Sequence, residues 1–145
     1  MPDSTKRDFN TAAKTWDDNP MRIELAKSIV DSILKCIPVS EEMSLLDYGA
    51  GTGLVTMGLQ PYVKNVVAAD SSSGMLDMLN KKITADGLKN VKTMLIDLEH
   101  DKSPEDNFDV IVSSMTMHHI KDVSKMIACF CKMLHSGGYL SLIHI

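Results

Sequence analysis

Apolar positions along this chain change their period several times, and each change marks an element. Between residues 19 and 35, Ala26, Ile29, Val30, Ile33 and Leu34 recur at the spacing of one helix face. Asn19 before Pro20 supplies a cap and a first helical residue that has no use for an amide hydrogen, and Pro38 helps end the run. A short apolar run from Ser44 to Tyr48 then breaks into Gly49, Gly51 and Gly53, which predicts strand, turn and helix. Val66 to Ala69 predicts a second, buried strand. From Ser73 onward Leu76, Leu79 and Ile83 share a helix face that stops at Gly87. Val91 to Ile96 reads as a third strand and, after the polar stretch from Asp97 to Asn107, Phe108 to Ser113 as a fourth. Val123, Met126, Ile127, Phe130 and Leu134 line a helix capped by Asp122. Gly137-Gly138 is expected to close that helix, with a fifth strand from Tyr139 to Ile145.

Strands rich in Val, Ile and Leu that alternate with helices imply parallel pairing with both sheet faces covered, because right-handed crossovers lay helices on each side. The expected class is α/β, doubly wound. In such sheets ligands bind beyond the carboxyl ends of the strands, so the residues just after each strand carry the chemistry. Composition narrows the ligand. The 145 residues make about one domain, with 44% hydrophobic and 23% charged residues, as in an ordinary globular chain. A net charge of −4 leaves no basic stripe for a phosphate backbone, which argues against nucleic acid as the main ligand. Lys6-Arg7 and Lys81-Lys82 read as solvated faces. No run approaches the roughly 20 apolar residues of a membrane span, and the start is not leader-like, so a cytoplasmic protein without membrane contact is expected. Cys36, Cys129 and Cys131 lack zinc-ligand spacing and read as packing thiols, and no metal is expected.

The glycine-rich turn is Asp47-Tyr48-Gly49-Ala50-Gly51-Thr52-Gly53, where missing side chains let backbone approach a ligand. A dinucleotide loop needs Gly-x-Gly-x-x-Gly, but position 54 is Leu and the third glycine falls one place early, at Gly53. This weakens an NAD-dependent oxidoreductase reading. Asp70 ends the second strand, where a carboxylate can accept from both hydroxyls of a ribose. Helix capping is its other use, although Ser71, Ser72 and Ser73 are also available for that.

Asp47, the glycine loop and Asp70 together resemble the first two motifs of class I S-adenosylmethionine-dependent methyltransferases. The resemblance covers most of the chain. It implies a Rossmann-like sheet in the order 3-2-1-4-5 and S-adenosyl-L-methionine as cofactor. Gly49, Ala50, Gly51 and Gly53 would then lie against its methionine part, Asp70 would hold the ribose, and Ser71 or Met75 would border the adenine. Asp97-Leu98 matches the place where the family binds the adenine amino group through a carboxylate and the ring through a backbone amide. Asp47 would set a negative charge near the cationic end, or serve only as a strand-end hydrogen bonder.

Phe108 to Ile120, with Ser113 among the implied cofactor contacts, resembles the next motif of the small-molecule subgroup related to ubiquinone- and menaquinone-biosynthesis methyltransferases. Leu134-x-x-Gly137-Gly138 fits the same pattern. The Asn/Asp-Pro-Pro-Tyr/Phe motif of DNA amine methyltransferases is absent there. Phe9 to Asp17 resembles the helix that folds over the cofactor in this subgroup, with Trp16 either a lid over the sulfonium or a packing anchor. His118 and His119 are candidate bases for an acceptor that must lose a proton; shaping the pocket is the other role open to them. Met115 and Met117 are candidates to face the acceptor, while the other methionines read as gap-filling core residues.

The organisation expected is N-terminal helices over the site at residues 1–40 and a cofactor-binding core at 41–145. Relatives usually continue past the fifth strand, so Leu140, Leu142 and Ile143 are expected on an apolar strand edge. Further chain, or a second copy forming a homodimer, would cover it. A methylating enzyme acting on a small molecule, a cofactor-binding module without turnover, and an NAD-dependent oxidoreductase are the functions left open, in that order.

Overall fold

Strands as uniformly apolar as these are stable only where both of their faces are covered. The computed structural model, which describes residues 8–114 and 120–143, shows how the cover is arranged. Strands β1 (Ser44–Tyr48), β2 (Asn65–Asp70), β3 (Val91–Leu95), β4 (Phe108–Ser114) and β5 (Leu134–Ile143) form one sheet in the order β3-β2-β1-β4-β5. Every pairing is parallel. The order reverses between β1 and β4, which puts the ligand-binding crevice of such a sheet just beyond the carboxyl ends of these two strands. The doubly wound α/β class and the expected strand order are both met.

Helices α1 (Phe9–Ala12), α2 (Pro20–Cys36), α3 (Leu54–Leu59), α4 (Ser73–Asp86) and α5 (Val123–Met133) accompany the sheet, and a 3-10 turn from Ala13 to Asp18 continues α1. Alternation along the strands divides the core in two. On one face Leu45, Val66, Val110 and Val112 pack with Ala26, Ile29, Val30 and Ile33 of α2 and with Val55 and Leu59 of α3. Leu76 and Leu79 of α4 join that side beside Ala68. On the other face Leu46, Tyr48, Ala69 and Ile111 pack with Met126, Phe130 and Met133 of α5. The caps are the ones the sequence suggests. Asn19 Oδ1 accepts from the Met21 amide at 3.0 Å, and Asp122 Oδ1 from the Lys125 amide at 3.0 Å; each such cap stabilises its helix by about 1 kcal/mol.

Two expectations are corrected. Helix α5 stops at Met133, because Leu134 is already extended and pairs with Phe108 as the first residue of β5. Gly137-Gly138 therefore does not close a helix. It lies within β5 at an irregularity where Phe108 and Val110 oppose Leu134 and Tyr139, so extra residues must be absorbed on the β5 side. Gly137 has φ +81°, and a Cβ on Gly138 would sit 2.9 Å from the Asp109 carbonyl oxygen. The second correction concerns the thiols. Cys36 and Cys131 are exposed and only Cys129 is half-buried, because α5 turns its inner face through Phe130 and leaves Cys131 outside.

β5 is one outer strand, with Leu140, Leu142 and Ile143 half-buried against the two cores. Among the described residues no helix is long and apolar enough to cross a membrane.

Candidate functional site

The site is built where β1 and β2 end side by side. Gly49, Gly51 and Gly53 have φ of +76°, +60° and +84°, a left-handed backbone that other residues adopt only with strain. The turn they allow folds back on β2. The amides of Gly49 and Ala50 both donate to the Ala69 carbonyl, at 2.8 and 3.0 Å, and Gly53 N–H donates to the Ala50 carbonyl at 2.9 Å. Gly51 N–H is left to donate to Asp70 Oδ2 at 2.9 Å, while Asp70 Oδ1 accepts from the Ser72 amide at 2.8 Å. Asp70 is thus gripped between the glycine loop and the start of α4. Burial raises its carboxyl above the usual value, against the opposing pull of the amides of Ser72, Gly51 and Ser71. A carboxylate has about four lone-pair directions, so both oxygens can still accept from a ligand.

Asp47 lies beneath the loop, only 2% exposed, with its Oδ2 accepting from the Thr56 hydroxyl of α3 at 2.6 Å. Burial pushes its carboxyl up to about 6; the Thr56 bond works the other way, and the charge of Asp70 adds to the rise. Gly53 is also a packing site: a Cβ there would meet Leu79 Cδ1 of α4 at 2.3 Å. Met75 is buried, and its sulfur would lie 3.8 Å from a Cβ on Gly51, whereas Ser71 is exposed at the rim.

The segment from Phe9 to Asp18 is pinned across this end of the sheet. Asn10 Oδ1 accepts from the Ser72 hydroxyl at 2.6 Å and from the Gly74 amide at 2.8 Å. Asp17 Oδ1 accepts from the Thr52 hydroxyl at 2.6 Å, and Asp17 Oδ2 pairs with Lys82 at 2.5 Å. Lys82 also donates to the Thr52 carbonyl at 2.9 Å. Trp16 is half-buried. The Arg22 guanidinium stacks 3.6 Å from its ring centroid, and Phe9 meets it edge-on with centroids 6.0 Å apart.

The loop after β3 closes the opposite side. Asp97 Oδ1 accepts from the Glu99 amide at 3.0 Å, and Asp97 Oδ2 lies 2.8 Å from His100 Nδ1. Leu98 is buried, and its amide donates to the Tyr48 hydroxyl at 3.0 Å. Ser113 is fully buried, donating to the Tyr48 carbonyl at 3.0 Å, so its side chain braces β1 from β4. His118 and His119, with Met115 and Met117, lie outside the described residues.

Asp47, Gly49, Ala50, Gly51, Gly53, Asp70, Ser71 and Met75 therefore gather about one loop, with the Trp16 segment pinned to that loop and to α4. Asp97 and Leu98 are tied in from β3 through Tyr48. Sequence reasoning missed Asn10, Tyr48, Thr52, Thr56 and Lys82. Their partners are 9 to 65 positions away in the chain, and for all but Thr52 no local pattern announces them. Thr52 alone had a signal, as the one polar residue inside the glycine turn.

The family described as a methyltransferase domain matches residues 46–142. The chain is 33% identical over 105 residues to an uncharacterised methyltransferase of Schizosaccharomyces pombe, covering 68% of this chain and 37% of that one. It is 30% identical over 111 residues to the ubiquinone/menaquinone biosynthesis C-methyltransferase of Vibrio parahaemolyticus, covering 74% and 43%. Among solved structures, an S-adenosylmethionine-dependent methyltransferase from Clostridium acetobutylicum superimposes with a TM-score of 0.66 at 25% identity, over 79% of this chain and 47% of that one. The chain spans less than half the length of each of these relatives.

Proposed function

The chain belongs to the S-adenosylmethionine-dependent methyltransferase family, and from that premise we propose that it holds S-adenosyl-L-methionine at the glycine loop and directs in-line methyl transfer to a small-molecule acceptor. The observation that carries the reading is the pair of carboxylates around that loop. Asp70 already takes the Gly51 amide, the donor a phosphate would need, and Asp47 sits behind the turn with a second potential negative charge. A cationic ligand with a ribose diol suits this donor set, and a pyrophosphate does not. That disfavours NAD.

Bound there, the cofactor supplies a methyl group already activated on a sulfonium. The chain's own residues bind, orient and shield. Asp70 accepts from the ribose through lone pairs beyond those given to Gly51 and Ser72. Gly49, Ala50, Gly51 and Gly53 back the methionine part, and Ser71, Met75, Asp97 and Leu98 border the base. Asp47 contributes its charge from below in a site with little water to screen it. Trp16 and its pinned segment exclude solvent from above. Ser113 acts indirectly, by holding the end of β1 through Tyr48.

Orientation of two reactants in this way can supply on the order of 7–11 kcal/mol of barrier reduction without a covalent intermediate. For an acceptor hydroxyl or acidic carbon, His118 or His119 is the base that this reading assigns, since imidazole titrates near neutral pH. A small acceptor is supported by the lack of a basic stripe and by the relative named for quinone biosynthesis. The cytoplasmic setting and a homodimer through β5 belong to the same proposal.

Calorimetric titration with S-adenosylmethionine, S-adenosylhomocysteine and NAD tests it. Micromolar binding of the first two without NAD is expected. A folded, monodisperse sample that binds only NAD, or none of the three, overturns the reading.

A further inference from the structure

Asp70 is held by two amides, and each lies at or beside a residue that the N-terminal segment grips. Its Oδ1 takes the Ser72 amide at 2.8 Å, and the Ser72 hydroxyl donates to Asn10 Oδ1 at 2.6 Å. Its Oδ2 takes the Gly51 amide at 2.9 Å, and the next residue, Thr52, donates its hydroxyl to Asp17 Oδ1 at 2.6 Å. The first relay passes through a single side chain. Ser72 is 7% exposed and its oxygen also accepts the Met75 amide at 3.2 Å, so Asn10 is the acceptor that fixes the hydroxyl proton. Asn10 is itself held from both sides. Its backbone amide donates to Asp8 Oδ1 at 3.0 Å, and its side-chain oxygen takes the Gly74 amide at 2.8 Å. An N–H can only donate, so the Asn10 carboxamide must turn its oxygen towards α4. Gly74 makes the approach possible: a Cβ there would lie 2.8 Å from Asn10 Cα and 2.9 Å from the Asn10 carbonyl oxygen. Both are backbone atoms, which cannot step aside unless the segment moves with them.

We propose that Asn10 is a positioning residue for the ribose end of the cofactor site, acting on Asp70 through Ser72, and that Gly74 lacks a side chain in order to admit it. The proposal rests on the cofactor reading above. It makes the segment part of what selects the sugar as well as a cover. With Asn10 seated, the Ser72 proton is committed away from Asp70, and the carboxylate keeps its remaining lone pairs for the diol. Without Asn10 that hydroxyl, two residues along from the carboxylate, loses its acceptor and is free to turn to Asp70 Oδ1 in the diol's place. Loss of the contact therefore removes discrimination between sugars, whereas loss of a cover alone weakens every ligand alike.

The test compares binding of S-adenosylhomocysteine and its 2′,3′-dideoxy analogue to the full chain, by competition. The wild-type protein is expected to favour the ribose form about tenfold or more, as suits two hydrogen bonds to a carboxylate. Asn10→Ala and Gly74→Ala should each cut that ratio about threefold or more, and together no further, because they break one contact. Alanine is a better helix former than glycine, so Gly74→Ala does not act by melting α4. Asn10→Asp keeps acceptor oxygens for Ser72 and Gly74 and should keep the ratio. Variants that bind both ligands more weakly at the wild-type ratio would reduce Asn10 to a cover; that overturns the proposal and leaves the cofactor reading standing. An Asn10→Asp protein as unselective as Asn10→Ala also overturns it, since an acceptor at this position would then not suffice. Wild-type protein that binds the two ligands equally takes Asp70 off the ribose and ends this proposal, and one that binds neither overturns the cofactor reading itself. Should Asn10→Ala not fold, Gly74→Ala decides alone.

Discussion

Replacing Asp47 by Asn should make the protein more stable at neutral pH and leave it almost unchanged in acid. The carboxyl is buried, and its value rises from 3.8 to about 6. Two units correspond to ~3 kcal/mol. The sign follows from which form the fold prefers. Below pH 3.8 Asp47 is protonated in both states and carries no penalty. Between 3.8 and about 6 the unfolded chain ionises while the native one keeps its proton, so stability falls as pH rises. Above about 6 the penalty is constant. Asn is neutral throughout, and its carbonyl can still accept from Thr56. The gap between variant and parent should therefore open from near zero at pH 3.5 to ~3 kcal/mol at pH 7. For a chain of this size that is about 6–12 °C in Tm. Asp70, raised in the same direction, and Asp8, lowered by its bonds to Thr11, stay in both proteins and largely cancel in the difference. Ligand-free urea and thermal unfolding across this pH range supply the comparison. A gap that does not change with pH, or one that favours the parent as pH rises, would mean that the native state welcomes the charge and that burial is not its controlling environment.

The other expectations concern the loop and its cover. Asp70→Asn should weaken S-adenosylhomocysteine at least tenfold in calorimetry, ~1.4 kcal/mol, with circular dichroism unchanged; wild-type affinity in a folded variant removes Asp70 from the site. Gly53→Ala should lose ~2–4 kcal/mol to denaturant, since φ is +84° and the new methyl meets Leu79 Cδ1 at 2.3 Å. Adding Leu79→Ala should recover the overpacking part, so strictly additive losses would contradict the contact. Asp17→Asn should lower amide protection across residues 9–18 by about tenfold, as expected for ~1–2 kcal/mol of lost charge-assisted bonding to Thr52 and Lys82. Protection equal to the parent's would show that Asp17 does not hold the segment.

Periodicity and punctuation made the sheet readable because one physical cause governs both pattern and structure: a residue that must face a helix is apolar, and a cap must carry a side-chain acceptor. Ala26, Ile29, Val30 and Ile33 face the core as their spacing requires, and Asn19 and Asp122 cap their helices. The glycine loop was legible for the same reason, since left-handed backbone selects glycine. The end of α5 was not. Gly137-Gly138 is a good helix stop by local rules, but pairing of Leu134 with Phe108 ends the helix earlier and turns the glycines into slack within a strand. Tertiary contact overrode local preference there. Tyr48 shows another limit: its position in an apolar run indicates burial, while the role of its hydroxyl depends on a loop 50 residues further on.

The pins of the N-terminal segment join residues far apart in the chain: Asn10 to Ser72 across 62 positions, and Asp17 to Thr52 across 35. None of their partners exists as a fixed target until β1, the glycine loop and the head of α4 have assembled, and closing such long loops is slow. This segment is thus among the last to settle. On the proposed reading, a ligand that reaches the open carboxyl end meets the loop before this segment, and the pinned segment and the occupied site then reinforce each other by mass action. Ligand should leave no faster than residues 9–18 detach, which couples residence time to a handful of hydrogen bonds that never touch the reacting atoms.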